Sequence, residues 1–163
     1  PKISSEDLSI SYSDLINVYR LYMTLNKEWK HLGLKNICVL QHNDNQEYLH
    51  LPVFMAKQSI YVKFGLFGGK LETAAGLDLR YNTSYHADEY LPQLGVFAYQ
   101  DKEKYGNYVY CDLFVNARID QCNVFLALTH PYAGLFGYNY IPTPLYPNEG
   151  LSFRWGLSWN FVN

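Results

Sequence analysis

Apolar and polar residues alternate along most of this chain, and the alternation predicts seven strands. Successive side chains of a strand point to opposite faces, so a period of two marks a segment with one apolar and one polar side. The pattern is plainest near the C-terminus, where Phe153, Trp155, Leu157, Trp159 and Phe161 alternate with Arg154, Gly156, Ser158 and Asn160. Residues 71–83 set Leu71, Thr73, Ala75, Leu77, Leu79 and Tyr81 against Glu72, Gly76, Asp78, Arg80 and Asn82. Residues 109–119 set Val109, Cys111, Leu113, Val115, Ala117 and Ile119 against Asp112, Phe114, Asn116 and Arg118. Segments 17–26 and 58–67 alternate likewise, with Arg20 and Lys63 on their polar sides. Two segments are less decided. Residues 32–42 alternate without revealing an inward face, and 122–130 put Val124, Leu126 and Leu128 on one side against a mixed set.

The connections sort by length. Gly68-Gly69 predicts a tight hairpin, because glycine reaches positive φ without steric cost; Asp120-Gln121 and 27–31 are also short. Residues 43–57, 84–107 and 131–150 are long. Transmembrane barrels have short periplasmic turns and longer external loops. With the last strand running down to a periplasmic C-terminus, every short link falls on the periplasmic side and every long one outside. That order requires 94–100 to belong to a loop, so 84–107 is read as one long external loop.

The apolar faces need a cover, and the terminal aromatic strand has nothing behind it to supply one. No apolar run approaches the roughly 18 residues of a transmembrane helix, so a membrane would be crossed by strands, closed to satisfy their backbone groups. The expected fold is all-β: an antiparallel transmembrane β-barrel, of which residues 1–163 form a single C-terminal segment of about seven to eight strands. The lumen would be lined by Arg20, Lys63, Glu72, Asp78, Arg80, Asp112, Asn116, Arg118 and Arg154. Lipid would meet Leu77, Leu79, Leu113, Val115, Trp155, Trp159 and Phe161. A charge at mid-strand on the lipid side would cost roughly 2–4 kcal/mol; the four clearest segments carry none.

Composition narrows the alternatives. Charged residues are sparse at 17%, and the net charge of −2 leaves no basic patch for nucleic acid. Cys38, Cys111 and Cys122 are odd in number and lack C-x-x-C spacing, which suits small apolar fillers better than disulfides or zinc. His31, His42, His50, His86 and His130 are scattered, and His86-Ala-Asp88-Glu89 reads as loop composition. No catalytic motif stands out, so neither an enzyme nor a cofactor or metal is expected. The sixteen tyrosines allow two readings. Trp29, Tyr81, Tyr85, Tyr90, Tyr105, Tyr108, Tyr132, Phe136, Tyr138, Tyr140 and Tyr146 fall near strand ends and in loops, where amphipathic rings favour a membrane interface. The same rings could instead bind glycans on a soluble β-sandwich or small barrel. Pro1-Lys-Ile-Ser-Ser-Glu lacks Met and any signal-peptide pattern, so a longer chain upstream is expected.

From Gly76-Leu-Asp-Leu-Arg-Tyr-Asn-Thr-Ser-Tyr-His-Ala-Asp-Glu-Tyr-Leu-Pro92 through Gly95-Val-Phe-Ala-Tyr-Gln100 and Gly106-Asn-Tyr-Val-Tyr-Cys-Asp112-Leu-Phe-Val-Asn-Ala-Arg118, the chain resembles the putative porin family of Bacteroidetes outer membranes. The resemblance continues at Tyr146-Pro147 and the Phe-Arg-Trp-Gly-Leu-Ser-Trp-Asn-Phe strand, covering about 58–163. It implies a porin-like barrel in the cell outer membrane that lets small polar solutes diffuse. Its partners would be outer-membrane lipid and the barrel-assembly machinery. Members of that family look like barrels of several hundred residues, so this chain would be the C-terminal part.

Overall fold

A computed structural model describes residues 2–3, 10–11, 15–133, 135 and 150–161. Among them there are no helices. Eleven strands follow in chain order: β1 (Lys2–Ile3), β2 (Ile10–Ser11), β3 (Val18–Glu28), β4 (Leu32–Asn43), β5 (Phe54–Leu66), β6 (Leu71–Asn82), β7 (Glu89–Leu91), β8 (Val96–Ala98), β9 (Tyr108–Ile119), β10 (Cys122–Thr129) and β11 (Ser152–Trp159). Seven of them form one antiparallel sheet in the order β11-β10-β9-β6-β5-β4-β3. Each predicted spanning segment is one of these seven. The largest shift in bounds is at β5, which starts at Phe54 instead of residue 58 because Met55 to Gln58 continue the ladder to β4 and β6.

Among the described residues, the sheet is a meander interrupted by the excursion between β6 and β9. Residues 94–100 do not add a strand to it. Val96–Ala98 instead pairs with Glu89–Leu91 in a separate small hairpin, β7-β8, and Tyr85 bridges to Tyr105 at the base of the excursion.

Three short turns lie at one end of the sheet. At 67–70, Gly68 and Gly69 adopt φ of 69° and 88°, as a tight reversal requires, and Phe67 joins them at 53°. At 120–121, Asp120 takes φ of 50°, a conformation Asp tolerates through its short polar side chain. The third, between β3 and β4, is closed by Trp29 N–H donating to Leu32 O at 2.7 Å. The β4–β5 connection and the excursion lie at the opposite end. There Gln41 and Asn43, both buried, tie the β4–β5 connection to the sheet by donating to Pro52 O and Leu49 O.

Among the described residues, few apolar side chains are buried: Tyr61, Ala87, Ala98 and Tyr108. Residues directly opposite in an antiparallel ladder share a face, so the register sorts every side chain. One row runs Leu34, Ile60, Leu77, Leu113, Leu128, Phe153 across six strands. This apolar face remains open to its surroundings: Leu21, Met23, Trp155 and Leu157 are all more than half exposed. The register also assigns the undecided segment 32–42, placing Leu34, Asn36, Cys38 and Leu40 on the apolar face and Lys35, Ile37, Val39 and Gln41 on the other. The three cysteines, all unpaired with one another, share the apolar face. No closed barrel forms among the described residues, and β3 and β11 are the sheet's edges.

Candidate functional site

The polar face collects the charge. Arg20, Lys35, Lys57, Lys63, Arg80, Arg118 and Arg154 lie on it with Glu28, Glu72, Asp78 and Asp112. The apolar face carries a single charged strand residue, Lys27, one position from the end of β3 at the short-turn side. A lysine there can extend its ammonium past the apolar surface while its methylenes stay on it.

Ion pairs cross the strands. Glu72 and Arg118 stand directly opposite and meet at 2.9 Å. Asp78 and Asp112 are also directly opposite, which by itself is unfavourable. Arg80, two residues along β6, offsets that by reaching Asp112 Oδ2 at 2.6 Å, with its guanidinium over the Tyr110 ring. Near the short turns, Glu28 accepts from Lys63 Nζ at 2.7 Å and from the Tyr61 hydroxyl at 2.6 Å. At the edge, Arg20 Nε donates to Gln41 Oε1 at 3.1 Å.

The residues expected to line a lumen, Arg20, Lys63, Glu72, Asp78, Arg80, Asp112, Asn116, Arg118 and Arg154, therefore share one face. Those expected to meet lipid share the other: Leu77 and Leu79 on β6, Leu113 and Val115 on β9, Trp155 and Trp159 on β11. Phe161, just past β11, stacks on Trp159 with ring centroids 5.9 Å apart. Glu28, Lys35 and Lys57 join the polar face without having been foreseen. The predicted segments ended at 26 and began at 58, and the faces of 32–42 were unassigned. Only the ladder register places these three.

A groove of about 810 Å³ opens on the polar face toward the short-turn end. Lys30, His31, Lys63, Glu72, Asn116, Arg118, Asn123 and Ser158 supply its polar lining, and Phe125 with Ala74 supplies an apolar patch. Small residues shape the face beside it: Gly33, Gly76 and Gly156 stand opposite Tyr61 and Phe125, whose rings and backbone occupy the space a Cβ would need.

At the other end the β4–β5 connection packs on the excursion between β6 and β9. His50, from the β4–β5 connection, lies against the excursion, 5.3 Å from the His86 ring and 4.5 Å from Tyr99, with Asp88 at 3.9 Å. These residues are scattered in sequence, and no spacing signal announces their meeting. Burial raises the phenol pKa of Tyr85 and of Tyr99, with nearby carboxylates adding to it. Beyond β10, buried His130 meets the Tyr108 hydroxyl at 2.6 Å, and its backbone N–H donates to Asp112. Of the aromatics expected near strand ends, Phe136, Tyr138, Tyr140 and Tyr146 lie outside the described residues, as does most of 131–150.

No curated protein and no solved structure matches the chain. A family model with the description "Putative porin" matches residues 5–163. That span includes the whole seven-stranded sheet, both of its faces and the excursion, and the chain belongs to the putative porin family.

Proposed function

We propose that this chain forms part of the wall of an outer-membrane β-barrel through which small polar solutes diffuse passively, without enzymatic chemistry. The observation that carries this reading is the partition of charge: within the seven-stranded sheet, the polar face holds every charged strand residue except Lys27. An ordinary soluble sheet buries its apolar face on a second layer, and none covers this one among the described residues. Lipid as the cover explains both the exposed leucines and tryptophans and the absence of mid-strand charge there, since one Arg or Lys at the bilayer midplane costs roughly 2–4 kcal/mol.

Strand length supports the same reading. Strands β3, β4, β5, β6 and β9 have 11 to 13 residues, and about nine to eleven tilted residues cross a bilayer. On this reading the short turns are periplasmic, the long connections external, and Arg20, Asp78, Arg80, Asp112, Asn116 and Arg154 face a water-filled lumen. Closure needs more wall than these seven strands. With an odd number of antiparallel strands β3 and β11 run the same way, so joining them directly would make a parallel seam. Further strands between them restore the antiparallel order.

The test is reconstitution of the full-length protein in a planar bilayer. Stepwise, voltage-driven conductance is the expected result, and purified, correctly assembled protein that leaves the membrane sealed would overturn the pore. A soluble glycan-binding sheet would instead be monodisperse in plain buffer without detergent.

A further inference from the structure

The sign of the charge is distributed unevenly as well as its position. The chain as a whole is at −2, yet the polar face has seven basic side chains against four carboxylates, an excess of three positive charges. The described connections at the long-loop end have the opposite balance. Residues 44–53 and 83–107 contain six carboxylates against Lys102 and Lys104, an excess of four negative charges. The ion pairs of Lys63, Arg80 and Arg118 on the polar face each join one basic and one acidic side chain already counted there, and so leave its excess intact. The groove continues the trend, with Lys30, Lys63 and Arg118 on its lining against Glu72.

We propose that this wall makes the pore selective for small hydrophilic anions over cations of similar size, an inference that rests on the pore reading above. A narrow aqueous path bounded by low-dielectric walls focuses the field of its lining charges, so a small excess of one sign raises the local concentration of the other. Arg20, Lys35 and Lys57 contribute to the excess: none of them belongs to those three ion pairs, and each stands on the polar face of a different strand, β3, β4 and β5. The guanidinium of Arg20 is held by the neutral amide of Gln41, which leaves its charge uncompensated by that contact.

The experiment measures the reversal potential of the full-length protein in a planar bilayer under a potassium chloride gradient. Combined substitution Arg20→Gln, Lys35→Gln and Lys57→Gln is expected to lower the chloride-to-potassium permeability ratio by about twofold or more while channels still open. Asp78→Asn, which removes a carboxylate from the same face, is expected to raise that ratio and carries the test if the triple variant fails to assemble. Lys27→Gln on the apolar face should leave the ratio unchanged. Conducting variants whose ratio equals that of the parent would overturn anion selection by this wall, whereas a parent protein without conductance would overturn the pore itself.

Discussion

The ring of Tyr61 lies where a side chain on Gly33 would have to go: a Cβ built on Gly33 would fall 2.2 Å from Tyr61 Cζ and 2.6 Å from its hydroxyl oxygen. The two residues are cross-strand partners, and Tyr61 is also paired with Gly76 on its other side. A ring laid over a cross-strand glycine covers backbone that would otherwise be bare and pins the register of the strands it spans. The hydroxyl donates to Glu28 on β3, so one side chain links the edge strand to the middle of the sheet.

Substitutions at the glycines should therefore differ in severity. A Cβ on Gly76 would meet Ile60 O at 2.2 Å and Tyr61 Cα at 2.7 Å, backbone atoms that cannot turn aside. The three atoms nearest a Cβ on Gly156 all belong to the ring of Phe125, which can rotate. Gly76→Ala is expected to abolish assembly, Gly33→Ala to weaken it by displacing Tyr61 from Glu28, and Gly156→Ala to be the mildest. The fraction of full-length protein that migrates as a folded, heat-modifiable band reads out the order, and equal effects at Gly76 and Gly156 would contradict the packing described.

The apolar face makes a separate prediction. Leu77 and Leu113 are cross-strand partners near mid-strand, so Leu77→Arg or Leu113→Arg would place a charge in hydrocarbon at roughly 2–4 kcal/mol. Thr24→Arg, on the polar face of β3, should be tolerated. Membrane-assembled protein should fall for the two leucine variants and remain at parental levels for Thr24→Arg. Normal assembly of Leu77→Arg would mean that this face does not meet lipid.

How far the sequence spoke depends on the range of the interaction. A period of two is a local signal, so the strands carrying Leu77, Leu113 and Trp155 and the grouping of their charged neighbours could be read directly. Lys35 could not be placed, because in 32–42 Ile37 and Val39 alternate with Cys38 and Leu40 and both faces look apolar; only pairing with Ser59 decides its side. Lys57 and Glu28 fell just beyond predicted strand ends, which depend on where neighbouring ladders stop. The contact of His50 with His86 and the Tyr61–Gly33 overlay join residues far apart in the chain, and nothing in local alternation encodes them.

Within the excursion, Gln100 is the organising side chain. It is buried, donates through Nε2 to Ala87 O at 2.7 Å and Glu103 O at 2.9 Å, and accepts from Glu103 N–H at 2.9 Å. Gln100→Ala leaves those backbone groups without the amide, at about 1–3 kcal/mol for each buried group that finds no replacement. Since Lys102 and Lys104 lie beside it and are exposed, the expected result is faster tryptic cleavage there while the sheet stays assembled. Unchanged cleavage rates would show that other contacts hold the excursion.

Two tyrosines outside the strands should titrate late. Burial, followed by a 2.5 Å hydrogen bond from its hydroxyl to Glu103, pushes Tyr105 up to about 12. Burial, with neighbouring acidic groups, pushes Tyr132 up to about 12 as well, and its hydroxyl donates to Val109 O. In the unfolded chain both phenols ionise near pH 10. Between those values the unfolded state has lost protons that the folded state retains, so stability falls with rising pH. The contribution is intact below about pH 10 and disappears as the pH climbs through about 12. Tyrosinate absorbance of the assembled protein should accordingly show a late component that shrinks in Tyr105→Phe and in Tyr132→Phe. Order at Tyr105 and Tyr132, followed by protease resistance, should fall with pH across that window in the parent and depend on pH less steeply in the phenylalanine variants; a titration complete by about pH 10 would remove the basis for both expectations.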